Sequence, residues 1–201
     1  MTFFTSDLHL GHENVITLCQ RPFASIEEMD ERLIANWNDR VTPRDTVYVV
    51  GDMVWKKPML PGYLERLKGK KILLIGNHDR PWARSEEAAR YFAEILPYKE
   101  ANLNGHAVTL CHYPMVEWHG SRREGSRHLG YLIHGHIHNV YRPEFRYLLR
   151  QFNALNAGVD VNGFAPVTFD EMMENNVRHK LSLLEGEDRE YLLAHLPQEW
   201  K

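Results

Sequence analysis

The segment KILLIGNHD, Lys71–Asp79, decides the fold of this chain. Its first five residues, 71–75, have the length and the apolar character of a buried β-strand. The four residues that follow, Gly-Asn-His-Asp, begin with two residue types that tolerate unusual backbone angles, so we expect a tight turn there. In open α/β sheets, ligands bind outside the carboxyl ends of the strands. The segment therefore predicts an α/β sheet that presents polar side chains at one edge.

Two earlier strands end in the same way. Residues 2–6 form an apolar run that leads into Asp7-Leu8-His9, and residues 45–50 lead into Gly51-Asp52. Helices are expected at 12–19, from Ser25 onward with Glu28 completing a capping box, and at 60–67 and 85–96. The alternation of strand and helix predicts helical crossovers between strands of one sheet.

The second half of the chain predicts a second sheet packed on the first. Asn104-Gly105 is a hairpin turn signal, and further elements are expected as strands at 106–111, 131–134 and 152–157 and as short helices at 167–173 and 189–195. We expect a single domain over residues 1–201. Its motifs span about residues 3–160, and residues 161–201 form a C-terminal extension of strand and helix.

The composition is that of an ordinary globular chain. The 201 residues are 43% hydrophobic and 25% charged, with a net charge of -3. That charge argues against a broad electrostatic surface for nucleic acid or an anionic membrane, although it leaves room for a local basic patch. No signal peptide or membrane span is expected, and the two cysteines are expected to be reduced, so we expect a cytoplasmic protein.

Histidine is the unusual component, with 12 residues, several of them clustered with Asp, Asn and Gly at predicted strand ends. The clusters yield seven candidate metal ligands, which are Asp7, His9, Asp52, Asn77, His112, His136 and His138. Seven such side chains suit two ions about 3.5–4 Å apart that share a carboxylate, an arrangement that lowers the pKa of bound water. Each motif alone is compatible with a capped loop, a turn or a core histidine. All five in this order at strand ends favour a metal centre.

In this order the motifs resemble the calcineurin-like metallophosphoesterases over roughly residues 3–160, as a compact member of bacterial or phage type. The resemblance implies an α/β fold, namely a four-layer α/β/β/α sandwich with two mixed sheets flanked by helices. It implies that Asp52 bridges two metals, the first held by Asp7, His9 and His138 and the second by Asn77, His112 and His136. It also implies that His78 contacts the substrate phosphate and protonates the leaving group.

One branch of that family is disfavoured. Protein serine/threonine phosphatases follow the Gly-Asp pair with a further Asp and an Arg, whereas here the run is Met53-Val54-Trp55-Lys56-Lys57. The acid that orients the active-site histidine is therefore missing from that position. Asp79, adjacent to His78, is the candidate for this task, and we take both as candidate catalytic residues.

Weaker signals concern substrate binding. His12, Arg80, Arg122 and Arg127 are candidate substrate-binding residues, because imidazole and guanidinium groups suit phosphate. The alternatives are a solvent-exposed histidine at a helix start and a solvated loop. Asn156 or Asp160 is expected to brace ligand histidines. Four aromatic residues near the motif loops, Trp55, Trp82, Tyr113 and Trp118, are expected to pack in the core, with an aromatic wall for a nucleobase as the alternative.

These observations predict a metal-dependent phosphoesterase, and a phosphodiesterase before a monoesterase, in which metal-bound hydroxide attacks phosphorus. We expect two divalent ions, Mn first, with Fe, Zn, Ni or Co as alternatives. The expected partner is a small phosphate ester, with a nucleotide as one candidate. The alternatives are a nuclease acting on DNA or RNA, which the acidic composition disfavours, and a non-catalytic metal-binding scaffold of the same fold.

Overall fold

Two four-stranded β-sheets form the centre of the molecule in the computed structural model, which describes residues 1–103, 105–122, 129–140 and 142–197. The first sheet has the order β1-β2-β3-β4, and its strands are β1 (Thr2–Thr5), β2 (Thr46–Val49), β3 (Lys70–Leu74) and β4 (Glu94–Leu96). All three pairings are parallel. A single antiparallel bridge joins Phe4 of β1 to Val167.

The second sheet is mixed and has the order β5-β6-β7-β8. Its strands are β5 (Lys99–Leu103), β6 (His106–Leu110), β7 (Gly130–His134) and β8 (Ala154–Asn156). The hairpin of β5 and β6 is antiparallel, as the turn signal predicts, and the two other pairings are parallel. The carboxyl ends of β6, β7 and β8 therefore meet at one edge.

Six α-helices accompany the sheets in the described part of the chain: α1 (Asn14–Leu18), α2 (Ile26–Arg40), α3 (Leu60–Leu64), α4 (Arg146–Arg150), α5 (Phe169–Leu183) and α6 (Gly186–His195). Short 3₁₀ turns lie at Lys57–Met59, Ala88–Arg90 and Pro143–Phe145. Helix α2 begins where predicted, because the hydroxyl of Ser25 accepts a hydrogen bond from the N–H of Glu28. No helix in the described ranges is long and apolar enough to cross a membrane.

Alternating side chains divide the core into layers. On β2, Val47 and Val49 join a buried cluster with α2 residues such as Trp37, whereas Tyr48 joins a second cluster that includes Ile133 of β7. Successive strand residues point to opposite faces, so one face of the first sheet packs on helices and the other on the second sheet. The outer face of the second sheet packs on α4. The predicted α/β/β/α sandwich is confirmed, but only the second sheet is mixed, because all three strand pairings of the first are parallel.

Two predicted elements differ in the structure. The helix expected at 85–96 is instead a 3₁₀ turn followed by β4, because Glu94–Leu96 adds to the edge of the sheet in register with Ile72–Leu74. This tertiary pairing outweighs local helix propensity. In the C-terminal extension, α5 is much longer than the predicted 167–173, and its capping box of Thr168 and Glu171 marks its start.

Candidate metal centre

Five strand ends converge on one site. Strands β1, β2 and β3 of the first sheet and β6 and β7 of the second lead into the motif loops that carry the seven candidate ligands. Backbone hydrogen bonds lock these loops to one another. The N–H of Asp7 donates to the carbonyl of Gly51 and the N–H of His9 to the carbonyl of Asp52, both at 3.0 Å. The N–H of Gly135 donates to the carbonyl of His112.

The ligand atoms form two groups. In the first, donor atoms of Asp7, His9 and His138 lie within 4.8 Å of one another. Asp7 Oδ1 lies 4.0 Å from His9 Nε2 and 3.8 Å from His138 Nε2. Donors bound at about 2.1 Å to one ion lie about 3–4 Å apart, so these separations suit a shared cation. We call this group the Asp7 set.

The second group contains Asp52, His112 and His136, again with donor atoms within 4.8 Å of one another. Asn77 joins it, because its Oδ1 lies 3.0 Å from His112 Nε2. We call these four residues the Asp52 set. The structure thus brings together all seven residues that the sequence singled out.

The carboxylate of Asp52 lies between the two sets. Its Oδ2 is 3.4 Å from His112 Nε2 and 3.7 Å from His9 Nε2, which belong to different sets. Its Oδ1 accepts a hydrogen bond from the backbone N–H of His78 at 2.9 Å. Asp52 is therefore placed where a bridging carboxylate would have to lie.

One buried nitrogen of the Asp7 set points to a cation as its partner. His9 Nε2 is buried and has no hydrogen-bond partner among the described residues. A buried polar atom without a partner costs free energy and requires an explanation. The atom points towards the carboxylates of Asp7 and Asp52, so a cation coordinated by all three residues would satisfy it.

The neighbours of the two ring nitrogens of His112 likewise point to a cation at the Asp52 set. Its Nδ1 lies 2.8 Å from the carbonyl of Val50, which can only accept, so Nδ1 carries the proton. In the neutral ring Nε2 then presents a lone pair towards two further acceptors, Asn77 Oδ1 and Asp52 Oδ2. Burial opposes a charge on this ring, yet the hydrogen bond to Asp52 and the charges of Asp7 and Asp52 raise the pKa of His112 to about 9. The acceptors around Nε2 therefore favour a positive charge at this point, which a bound cation would supply.

The backbone conformations of the motif loops also mark a functional site. Seven non-glycine residues have positive φ in the described ranges, and five of them are candidate ligands: Asp7, His9, Asp52, His136 and His138. Residues other than glycine adopt positive φ at a cost of about 1–3 kcal/mol each, and such backbone strain is concentrated at functional sites. The fold therefore maintains these conformations against their local preference in order to aim the side chains at one point.

Glycines allow the loops to approach one another. A Cβ atom on Gly76 would lie 2.2 Å from Asp52 Oδ1 and 2.6 Å from the backbone nitrogen of Asp52. A Cβ atom on Gly135 would lie 2.4 Å from Asp7 Oδ2. The glycines of the Gly-Asn-His-Asp and Gly-His-Ile-His motifs are therefore required by the close packing of the ligand loops.

Replacing Gly76 with alanine is expected to lower the free energy of unfolding by about 1–3 kcal/mol, because the methyl group must displace backbone that the ligands depend on. Metal affinity should fall about 10-fold or more, since Asn77 and Asp52 shift together. Urea unfolding and metal titration measure the two effects. The matched control is Gly62→Ala, because Gly62 is helical and no atom of the described residues lies within 4 Å of the added Cβ. Equal effects of both variants would contradict the packing argument.

A buried ion pair between Arg21 and Asp160 supports His138, a candidate ligand that follows β7. His138 Nδ1 lies 2.9 Å from Asp160 Oδ2, and Arg21 binds both oxygens of Asp160, at 2.8 and 2.9 Å. The side-chain amide of Asn156 donates to the carbonyl of His138 at 2.7 Å. The expectation that Asn156 or Asp160 supports a candidate ligand is confirmed for both. Arg21, which the sequence did not single out, also donates to the carbonyl of Asp7 at 2.6 Å.

The histidine of the Gly-Asn-His-Asp motif lies beside both sets. His78 Nε2 is 4.0 Å from Asp52 Oδ2, and one third of the side chain is exposed. The ring lies 5.1 Å from that of His9 and 4.9 Å from that of Trp55, measured between centroids. His78 is thus oriented by neighbouring rings and open to an incoming molecule.

Asp79 does not orient His78, so this prediction is wrong. The carboxylate of Asp79 is fully buried and accepts hydrogen bonds from the backbone N–H groups of Asp52, Met53 and Gly76 at 2.7–3.0 Å. Burial and the nearby Asp52 carboxylate raise the pKa of Asp79 to about 7, although the three donors favour the charged form. Asp79 joins the loops after β2 and β3 and is a positioning residue.

The candidate substrate-binding residues separate in the structure. The ring of His12 stacks on that of Trp55 and lies near that of His78, with centroid distances of 3.7 and 5.8 Å. His12 and Trp55 therefore form one wall of the site. The expectation that Trp55 packs in the core is wrong. Arg80 lies over the ring of Tyr113 at 5.8 Å. The side chain of Arg122 is 82% exposed and pairs with Glu117, so the structure does not place it at the site. Arg127 lies outside the described residues.

Comparisons with known proteins agree with this geometry. The profile of a family described as "Calcineurin-like phosphoesterase" matches residues 2–199. An uncharacterized protein of Methanocaldococcus jannaschii is 32% identical over 174 residues, which cover 84% of this chain and 86% of the relative. The gene 66 protein of Mycobacterium phage L5 is 31% identical over 165 residues, covering 69% of this chain and 77% of the relative.

A solved structure is also similar. The crystal structure of the protein of unknown function AQ665 from Aquifex aeolicus matches with a TM-score of 0.63 and 30% sequence identity. The match covers 85% of this chain and 96% of the Aquifex chain. The similarity therefore extends over nearly the whole of that chain.

Proposed function

This chain belongs to the calcineurin-like phosphoesterase family, and we propose that it is a hydrolase of phosphodiesters that works with two divalent metal ions. The observation that carries the proposal is the position of Asp52 between two sets of donors, with the unpartnered Nε2 of His9 aimed at it. His/Asp/Asn donors suit Mn, Fe, Zn, Co or Ni, and we propose Mn first.

Each of the two donor sets would hold one metal ion. Asp7, His9 and His138 would hold one ion, and Asn77, His112 and His136 the other, with Asp52 common to both. When bound, two such ions lower the pKa of water and stabilise the charge that develops on a phosphoryl group. Asp160 and Val50 hold the Nδ1 protons of His138 and His112, which leaves both Nε2 atoms free to coordinate.

His78 supplies the proton in this scheme. Its ring is beside both sets yet partly exposed, so its Nε2–H can reach a leaving oxygen of a bound ester. The stack of His12 on Trp55 borders His78 and limits where the leaving group can lie. Both features belong to an open cleft and not to an enclosed cavity.

Two features support diesters before monoesters. The loop after Asp52 presents Trp55 and contains no arginine up to Lys57, so it offers no guanidinium clamp for a monoester dianion. The exposed flank of His78 leaves room for the second ester group. We propose a small phosphate ester, with nucleotides among the candidates, as the substrate, and the cytoplasm as the place of action.

The experiment is a metal-dependent hydrolysis assay. The purified protein is stripped with a chelator, then supplied with Mn(II), Zn(II) or Mg(II), and given bis(p-nitrophenyl) phosphate or p-nitrophenyl phosphate. We expect turnover that requires added metal and a higher kcat/KM for the diester. Faster hydrolysis of the monoester would refute the diester preference. Metal binding without turnover of either ester would instead favour a non-catalytic scaffold.

A further inference from the structure

A cavity of about 560 Å³ lies next to the Asp52 set, which it meets at Tyr113. It is lined by Ile75, Arg80, Ala83, Arg84, Pro97 and Tyr113. Ile75 directly precedes the Gly-Asn-His-Asp motif, and Tyr113 directly follows His112. The tyrosine ring lies 4.8 Å from the ring of His136 and 5.1 Å from that of His112. One wall of the cavity, the ring of Tyr113, is therefore shared with the surroundings of the Asp52 set.

Two guanidinium groups line this cavity, those of Arg80 and Arg84. Among the described residues, neither Arg80 nor Arg84 forms an ion pair with a carboxylate. Seven other described arginines form such pairs, whereas Arg32, Arg44, Arg90, Arg142 and Arg189 also form none, so what distinguishes Arg80 and Arg84 is that they line the same cavity. Two unpaired guanidiniums on one cavity suit an anion, and phosphate is the anion that a guanidinium binds through two parallel hydrogen bonds.

The remaining lining is suited to a flat organic group. Ile75, Ala83 and Pro97 contribute apolar surface, and Tyr113 contributes an aromatic face. The volume of the cavity lies within the range of sites for nucleotide-sized ligands, and far exceeds that of one phosphate group. An aromatic face beside arginines is a combination that stacks a base and binds its phosphate.

We propose that this cavity binds a second phosphate group of a nucleotide substrate, next to Arg80 and Arg84, while the phosphate to be cleaved lies at the two metal sets. The inference rests on the proposed function, because it assigns the substrate class of that site. The second phosphate could be joined through the sugar, as in an oligonucleotide, or directly, as in a nucleoside diphosphate. Both arrangements present the same anion to the two arginines.

Equilibrium binding tests the proposal without requiring turnover. Thymidine 5′-monophosphate, thymidine 3′,5′-bisphosphate and thymidine 5′-diphosphate are titrated by calorimetry into the protein with Mn(II). We expect at least one of the two doubly phosphorylated ligands to bind about tenfold or more tightly than the monophosphate, the size expected for charge-assisted hydrogen bonds. The ligand that gains more identifies how the second phosphate is joined.

Variants assign the gain to the cavity. Arg80→Ala and Arg84→Ala should each remove most of the gain, while the affinity for the monophosphate changes by less than about threefold. Arg90→Ala is the matched control, because Arg90 is exposed on the same segment but does not line the cavity. Equal affinity for all three ligands, or an equal loss in Arg90→Ala, would overturn the proposal. A preserved gain in a protein that hydrolyses neither p-nitrophenyl ester would overturn the proposed function alone.

Discussion

An Asp52→Asn variant is expected to lose metal-dependent hydrolysis by a factor of about 10³ or more. The side chain of Asp52 is almost fully buried and faces three histidine Nε2 atoms, those of His9, His78 and His112, at 3.4–4.0 Å. Burial would raise the pKa of Asp52, but the hydrogen bond and charge of His112 lower it to about 2, so the group is a carboxylate at neutral pH. The amide cannot supply that charge, and the loss of several kcal/mol of metal and transition-state stabilisation corresponds to this factor.

The same variant should fold normally, which separates the effect from misfolding. Asparagine keeps an oxygen that can accept the N–H of His78, and its neutrality removes the repulsion of Asp52 on Asp7 and Asp79. In wild type, Mn(II) should raise Tm, because a ligand that binds only the folded state stabilises it. In Asp52→Asn the rise should shrink, and elemental analysis should find fewer bound ions per chain.

The control is Asp39→Asn, an exposed carboxylate near the end of α2. It should retain wild-type kcat and the wild-type metal-induced rise in Tm. If Asp52→Asn retained full turnover with two ions bound, Asp52 would not be a bridging ligand.

A His78→Gln variant is expected to lose activity by an amount that depends on the leaving group. Proton transfer from a positioned side chain contributes about 10²–10⁴-fold to rate. An alkoxide needs that proton, whereas p-nitrophenolate departs without it. We therefore expect a loss of about 10² or more for an alkyl ester such as a dinucleoside phosphate, and a loss below about tenfold for bis(p-nitrophenyl) phosphate.

Metal content provides the second readout for His78. A ring nitrogen of His78 lies within 4.8 Å of donor atoms of His9 and Asp52, but glutamine at position 78 leaves every residue of the two sets in place and keeps the backbone N–H that binds Asp52. Metal affinity should therefore stay near that of wild type. His119→Gln, which changes an exposed histidine outside both sets, is the control. An equal loss on aryl and alkyl esters would contradict proton donation and indicate a role in binding alone.

Local sequence was sufficient to predict the first three strands of the first sheet. The apolar runs at 2–6, 45–50 and 71–75 became β1, β2 and β3 almost residue for residue, because a run buried on both faces leaves little freedom of assignment. The exception is instructive: Glu94–Leu96 is β4 although the pattern of 85–96 favoured a helix. Pairing with β3 stabilises these three residues as an edge strand by more than their local propensity favours a helix.

By itself, then, the sequence determined which side chains meet at the carboxyl edge of the sheets, because strand ends and residue types are local properties. Tertiary structure decided what the side chains next to them do. It directed Asp79 onto backbone N–H groups and not onto His78, paired Arg122 with Glu117 on the surface, and buried Arg21 against Asp160. It also placed Arg80 and Arg84 on one cavity, where neither forms an ion pair with a described residue. The physical reason is that a side chain's direction and partners depend on which loops approach one another, and that approach is set by packing between distant segments.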